Sequence, residues 1–340
     1  FQPPPMNKYI YMIFICVQIV TFLLWQKNFF AENLTKYDGH CIMLYVKHER
    51  ADFIYMKSRI IFIVISLISA ALFGVLFIGG ISDVWIIPAA FCGTYLALGI
   101  LFWAVIIFSC LFIKPDKIYD KPSKFYEKMF AVIYDGVIRL FRIHLHTSGT
   151  EMLPEGCYLL VSNHRSNFDN MVECAAAGGR NIAYISKPSN FRIPIARRFM
   201  RRCCYLEIDR ENPKNAFRTV ERAVDFIKTG TCPVGLFPEG HRTHSIQMDE
   251  FKHGCFLIAE KAACPIVVCC VRGTEKIHKN FPLRHTDVYV DVLSVIPKER
   301  VCGRRAIDVS NEAKQLIADF LNEKGEVQND KSALQPAGKQ

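Results

Sequence analysis

Two short stretches of this sequence set residues able to move protons or hold a phosphate directly after apolar runs. The first is Ser162-Asn163-His164-Arg165-Ser166-Asn167-Phe168-Asp169, entered from the apolar run 158–161. An imidazole is the side chain best suited to accept a proton near neutral pH. An Asp five positions on, where a helix begins, can fold back on the ring and fix its tautomer. The other ring nitrogen is then free to act, which is the base-and-orienter half of a catalytic triad. If Asn167 caps that helix, Asp169 lies in its first turn, where the backbone dipole favours a carboxylate. A His and an Asp in an ordinary polar loop is the bland alternative, and this pair alone does not displace it.

The second stretch is Gly235-Leu236-Phe237-Pro238-Glu239-Gly240-His241-Arg242-Thr243. Gly240 permits close backbone approach, and Arg242 offers a planar fork for a phosphate. Two more apolar runs end in Ser186-Lys187-Pro188-Ser189 and in Glu207-Ile208-Asp209-Arg210. Any one of these is explained by a solvated charged face. All four, delivered by strands of one sheet, would converge on one rim, where α/β domains bind ligands.

The elements that must position them alternate. Residues 157–162, 182–186, 204–208, 233–237, 266–271 and 288–293 read as strands, several too apolar for one wet face. Residues 167–177, 193–202, 216–228 and 251–263 read as helices, with a closing helix at 308–321. This pattern predicts an α/β fold, a mixed and mostly buried sheet flanked by helices, over 149–321. Residues 322–340 read as a disordered tail. Upstream, 123–144 is amphipathic with interleaved Lys124, Lys128, Arg139 and Arg142. It suits the bilayer interface and a core-facing helix equally, so 114–148 is assigned as an interfacial helix or linker.

Composition places the rest. Of 340 residues 51% are hydrophobic and 22% charged, and the excess apolar residues gather near the N-terminus. Residues 60–79 and 84–113 are uncharged until the intervening Gly79-Gly80-Ile81-Ser82-Asp83 turn, and each is long enough to cross a bilayer. Lys57 and Arg59 precede the first; Lys114, Lys117, Lys121 and Lys124 follow the second. The positive-inside rule then predicts a transmembrane helical hairpin over 56–113 with both ends, and the following domain, in the cytoplasm. Residues 1–55 read as an N-terminal extension of uncertain status. Residues 9–25 are apolar enough for a marginal span or signal-like segment, and Met56-Lys57-Ser58-Arg59 resembles an initiator Met with a basic flank. The 14 cysteines lie partly within apolar runs and show no Cys-x-x-Cys spacing, so they read as reduced. No metal is expected. The net charge of +10 favours anionic partners, but no groove-reading or base-stacking motif supports nucleic acid.

Taken in order, the blocks resemble those of the glycerolipid acyltransferases of the lysophosphatidic acid acyltransferase type. Asn163, His164 and Asp169 match that family's Asn-His-x-x-x-x-Asp block, and Ile208-Asp209-Arg210 with Lys187 resembles the second. Phe237-Pro238-Glu239-Gly240 with Arg242 is similar to the third, usually Phe-Pro-Glu-Gly-Thr-Arg-Ser, and Pro265-Ile266-Val267 to the fourth. His241 and Thr243 depart from the usual Thr and Ser. The resemblance implies transfer of a fatty acyl group from an acyl thioester, acyl-CoA or acyl-carrier protein, to the free hydroxyl of 1-acylglycerol 3-phosphate. It implies His164 as general base and Asp169 as its orienter. Lys187, Arg210 and Arg242 would then hold the acceptor phosphate, Glu239 would position the glycerol part or the basic groups, Gly240 would belong to the same substrate-binding set, and no cofactor would be bound. The implied partners are a lysophospholipid acceptor, the thioester donor and the lipid bilayer. Three alternatives stay open: acylation of glycerol 3-phosphate or another lysophospholipid, a hydrolase, and a non-catalytic membrane lipid-binding protein. The hydrolase lacks a Gly-x-Ser-x-Gly elbow.

Overall fold

Runs such as Leu159-Leu160-Val161 and Ile266-Val267-Val268-Cys269-Cys270-Val271 can be strands only if both faces are covered, because no residue in them suits water. The computed structural model of the chain describes residues 42–77, 80, 85–209, 212–243 and 248–325, with backbone alone for 42–59, and shows that arrangement. Residues 1–41, Arg210 and 326–340, most of the expected tail, lie outside the described residues.

Helices α1 (Ile42–Phe77), apart from residues 48–51, and α2 (Ile86–Leu111) up to residue 108 belong to one unit. Ser69 Oγ meets Thr94 Oγ1 at 3.0 Å, and Phe62 packs edge-on against Tyr95 and Phe102. Contacts that run forward on one helix and backward on the other make the pair antiparallel. Ile60–Phe77 and Ile86–Leu111 are long and apolar enough to cross a membrane, and most of their side chains face outward. The helical backbone of α1 starts at Ile42 and continues through Met56 without a break.

The second unit holds α3 (Lys124–Leu140), β1 (Ile143–Ser148), β2 (Leu159–Ser162), α4 (Asp169–Ala176), β3 (Ala183–Ser186) and α5 (Pro194–Arg202). It continues with β4 (Leu206–Glu207), α6 (Pro213–Lys228), β5 (Val234–Leu236), α7 (Leu257–Ala262), β6 (Ile266–Arg272) and α8 (Ile277–Asn280). It ends with β7 (Thr286–Ile296), α9 (Lys298–Val301) and α10 (Ala306–Glu323). The strands form one sheet in the order β1-β7-β6-β2-β5-β3-β4. All neighbours are parallel except β6 and β7, so the sheet is mixed as expected.

Alternation divides the strand residues between two cores. Leu159, Val161, Val234, Leu236, Ile266, Val268 and Cys270 pack with residues of α6, α7 and α10 on one face. Tyr158, Leu160, Val267, Cys269, Val271 and Val288 pack on the other with Tyr134 of α3 and Val172 of α4. Truncating any of these buried aliphatic side chains to Ala should cost about 2–5 kcal/mol. The described cysteines are free thiols, and burial pushes the Cys269 thiol well above its ordinary pKa, as suits a small core hydrophobe.

Two boundaries differ from the sequence reading. The sheet begins before residue 149: Ile143–Ser148 is its edge strand, paired with β7, which lies more than a hundred residues downstream. Its polar alternation, His-Leu-His-Thr, hid it from a search for apolar runs. Helix α3 also turns a face inward, burying Met129, Val132 and Tyr134, so the core-facing alternative describes it.

Candidate active site

The parallel strands β2, β5, β3 and β4 all end on one rim, and each is followed by one of the charged stretches. β2 stands between β6 and β5, so the loop after it opens from the middle of the sheet. Asn163 anchors that loop. Its amide donates to the Val271 carbonyl at 2.8 Å and accepts from the Val271 N–H at 2.8 Å, extending the β2–β6 ladder by one side-chain step.

His164 follows, one-fifth exposed at its side chain, and its Nδ1–H donates to Asp169 Oδ2 at 2.8 Å. The tautomer is assigned from the partner, since a carboxylate accepts. Among the described residues nothing else engages the ring polar atoms, so Nε2 is uncommitted among them. Asp169 is completely buried at the first position of α4. Asn167 does not cap this helix: it is exposed, and Phe168 occupies the cap position. The carboxylate turns back instead, and Oδ2 also accepts the N–H groups of Arg165 at 2.7 Å and Ser166 at 2.8 Å. Oδ1 accepts from Thr274 Oγ1 at 2.6 Å. Four donors leave this carboxylate one orientation, and with it the imidazole.

Thr274 was absent from the sequence reading. Its signal was the one used elsewhere, a polar residue just beyond a buried strand, here β6. Gly273 makes the turn possible, with φ +89°, and a Cβ there would stand 2.3 Å from the Asp287 carbonyl oxygen.

The third block braces the first. Phe237 stacks under the His164 ring, centroids 4.1 Å apart and planes 10° from parallel. Glu239 is wholly buried and accepts the His164 N–H at 2.8 Å and the Asp249 N–H at 3.0 Å. Burial raises its pKa, and these hydrogen bonds oppose the rise. It therefore positions the His164 backbone and is not open to a substrate, which corrects the role expected for it. Thr243 donates its N–H at 3.0 Å and its hydroxyl at 3.2 Å to the His164 carbonyl. The Thr in place of the usual Ser keeps that hydroxyl. Gly240, at φ +83°, turns the chain between Glu239 and the exposed Arg242. His241, the other departure, pairs with Asp249 at 2.6 Å across the loop.

Lys187 follows β3 and is exposed. Among the described residues neither its side chain nor that of Arg242 is committed to an ion pair or hydrogen bond. The neighbouring basic cluster is largely committed. Arg197 holds the Pro115 carbonyl and Asp116, Arg201 pairs with Glu207 over the Phe191 ring, and Arg202 holds the Lys121 carbonyl over Tyr119. These arginines join the 115–121 segment and β4 to α5.

Behind the dyad lies a further buried carboxylate. Glu173 of α4 accepts from Ser162 and, at 2.5 Å, from the Tyr184 hydroxyl, and burial raises its pKa to about 8. It ties α4 to β2 and β3, and α4 and β2 are the helix and strand that flank the His164 loop.

Residues 144–272 match the family model described as Acyltransferase. A chloroplastic 1-acyl-sn-glycerol-3-phosphate acyltransferase of Brassica napus is 31% identical over 180 residues, 51% of this chain and 50% of that one. The 1-acyl-sn-glycerol-3-phosphate acyltransferase of Escherichia coli is 31% identical over 172 residues, 50% of this chain and 65% of that one. Among solved structures, a 1-acyl-sn-glycerophosphate (LPA) acyltransferase of Thermotoga maritima overlaps 78% of this chain and 98% of its own, at 16% identity and a TM-score of 0.48. The chain spans about half the length of the curated plant relatives it matches. The family match takes in β2 to β6 and all but the first residue of β1, and β7 lies beyond it.

Proposed function

We propose that this chain is a membrane-bound O-acyltransferase that moves a fatty acyl group from an acyl thioester to the free hydroxyl of 1-acylglycerol 3-phosphate, giving phosphatidic acid. The observation that carries the reading is the His164–Asp169 pair, with Nδ1 committed to the carboxylate and Nε2 open at the rim. An alcohol is a weak nucleophile at neutral pH. Nε2 takes its proton as the oxygen attacks the thioester carbonyl, the tetrahedral intermediate collapses, and the thiol leaves with a proton returned from the imidazolium. Asp169 stabilises that imidazolium, and the Phe237 ring face below offers it a favourable quadrupole. No side-chain nucleophile is needed.

The two uncommitted cations suit the acceptor's phosphate monoester, Arg242 through its fork and Lys187 as a point charge. Arg210, which the motif adds to them, lies outside the described residues. The paired apolar helices suit a lipid acceptor that stays in the bilayer, and their basic flanks favour a cytoplasmic site.

Steady-state kinetics of Arg242→Ala with both substrates test the assignment of the rim. Loss of a charge-assisted contact should raise the acceptor KM roughly ten- to hundredfold. The donor KM should change little. An effect confined to the donor would reverse the assignment. Equal use by the wild type of acceptors lacking a phosphate monoester would remove the reason for it.

A further inference from the structure

The edge of the sheet carries a second cluster of titratable groups that the chemistry above does not use. β1 and β7 are parallel, and His144 is the register partner of Asp287, His146 that of Tyr289. Residues two apart on a strand share a face. His144 and His146 of β1 therefore stand beside Asp287 of β7, with His285 immediately before that strand on the same side. All four side chains are about half exposed. The outward face of an edge strand more usually carries Lys or Glu to discourage pairing with other chains.

Their partners are one another. His144 Nδ1 stands 3.7 Å from Asp287 Oδ1, His146 Nε2 3.0 Å from the same oxygen, and His285 Nε2 3.8 Å from Oδ2. The His144 and His285 rings lie nearly parallel, 4.6 Å apart, so both present a nitrogen toward one carboxylate. His146 is held in turn against the Tyr289 ring at 4.7 Å. Among the described residues no Lys or Arg pairs with Asp287. Arg142, which leads into β1, is occupied by the carbonyls of Pro282 and Leu283.

We propose that His144, His285 and Asp287 form a zinc(II) site on the β1–β7 edge, with His146 as the residue that orients the carboxylate. The ligand atoms of these three residues all lie within 4.8 Å of one another. Zinc bonds of 2.0–2.1 Å in a tetrahedron set neighbouring ligand atoms about 3.3 Å apart, and His144 Nδ1 and His285 Nε2 stand 3.7 and 3.8 Å from different oxygens of Asp287, Oδ1 and Oδ2. Small side-chain rotations close that difference. Two imidazoles and a carboxylate suit zinc, whereas calcium and magnesium require oxygen ligands throughout. Water takes the fourth position. His146 supplies the outer hydrogen bond that such ligands characteristically receive. The ion would clip the edge strand to its one neighbour, adding a cross-link where β1 has only a single strand to pair with.

The test uses the full chain, free of affinity tags, purified in detergent and stripped with a chelator. Zinc(II) binding is measured by equilibrium dialysis, and cobalt(II) is added as a spectroscopic substitute. The expected result is one zinc per chain, a higher melting temperature with zinc present, and the visible absorption of tetrahedral cobalt without a near-ultraviolet thiolate band. Asp287→Asn and His285→Ala should each weaken binding at least tenfold, and His146→Gln by roughly ten- to hundredfold. All three positions are exposed, so the variants should melt like the zinc-free wild type. Absence of stoichiometric zinc binding would overturn the proposal and leave a hydrogen-bonded His–Asp cluster only. Binding that persists in Asp287→Asn, or that shows a thiolate band, would overturn it equally by placing the metal elsewhere.

Discussion

His164 is held from three directions: its ring by Asp169, its ring face by Phe237 and its backbone by Glu239 and Thr243. A base fixed in this way loses little to reorientation when the substrate arrives, which is what general-base catalysis asks of geometry. His164→Ala should lower kcat by about 10²–10⁴-fold with the acceptor KM nearly intact. Thr274→Val removes one of the four donors on a buried carboxylate and should cost about 1–3 kcal/mol of stability, read in denaturant melts. It should also lower kcat with KM unchanged, because Asp169 loses its fixed orientation. A kcat equal to wild type in that variant would show that His164 and the two loop N–H groups of Arg165 and Ser166 suffice to hold the carboxylate. The dyad was legible in the sequence because His and Asp lie five residues apart. Thr274 was not, since its bond to Asp169 spans 105 residues. For Glu239 the residue was legible and its work was not: only burial distinguishes a carboxylate that braces a backbone from one that meets a substrate.

At the scale of elements, α4 carries both the orienting carboxylate and Glu173, and Glu173 fastens the helix to β2 and β3. Its folded pKa of about 8 stands above the ordinary value of 4.5. The folded chain thus keeps a proton that the unfolded chain releases. Stability from this group is fully present below the unfolded value and is lost as pH rises through about 8. Melting temperature should therefore fall between about pH 5 and 8, and Glu173→Gln, which cannot ionise, should flatten that part of the profile. An unchanged slope in the variant would assign the pH dependence to other groups. Buried strands and amphipathic helices were readable because apolar runs and helical spacing are local signals. β1 escaped because an edge strand with one wet face shows mostly polar residues. The zinc proposal belongs to the same blind spot: His144 comes from β1 and His285 and Asp287 from the entry to β7, and only the register of those two strands brings them together.

At the scale of the molecule, the chain divides near residue 109, with the paired apolar helices on one side and the α/β unit on the other. The hydropathy reading ended the hairpin at residue 113, yet Cys110 and Ile113 are buried and the Tyr126 hydroxyl donates to the Ser109 carbonyl at 3.0 Å. Hydropathy cannot separate residues buried by lipid from residues buried by protein. A chain beginning at Ser109 should keep a cooperative melt and lose most of its sedimentation with membranes. One beginning at Lys114 should melt lower, having lost those two core side chains. Absence of any cooperative transition in the longer version would mean that the hairpin belongs to the core. The account as a whole rests on chemistry at His164. Its most direct test is mass spectrometry of the lipids formed when the purified full chain is given 1-acylglycerol 3-phosphate with acyl-CoA, and separately with acyl-carrier protein, beside a folded His164→Ala control. The account predicts phosphatidic acid bearing the donor's acyl chain from the wild type, with at least one donor, and about 10²-fold less or lower from the variant. Equal product from the variant, or acylation only of acceptors without a phosphate monoester, would contradict it.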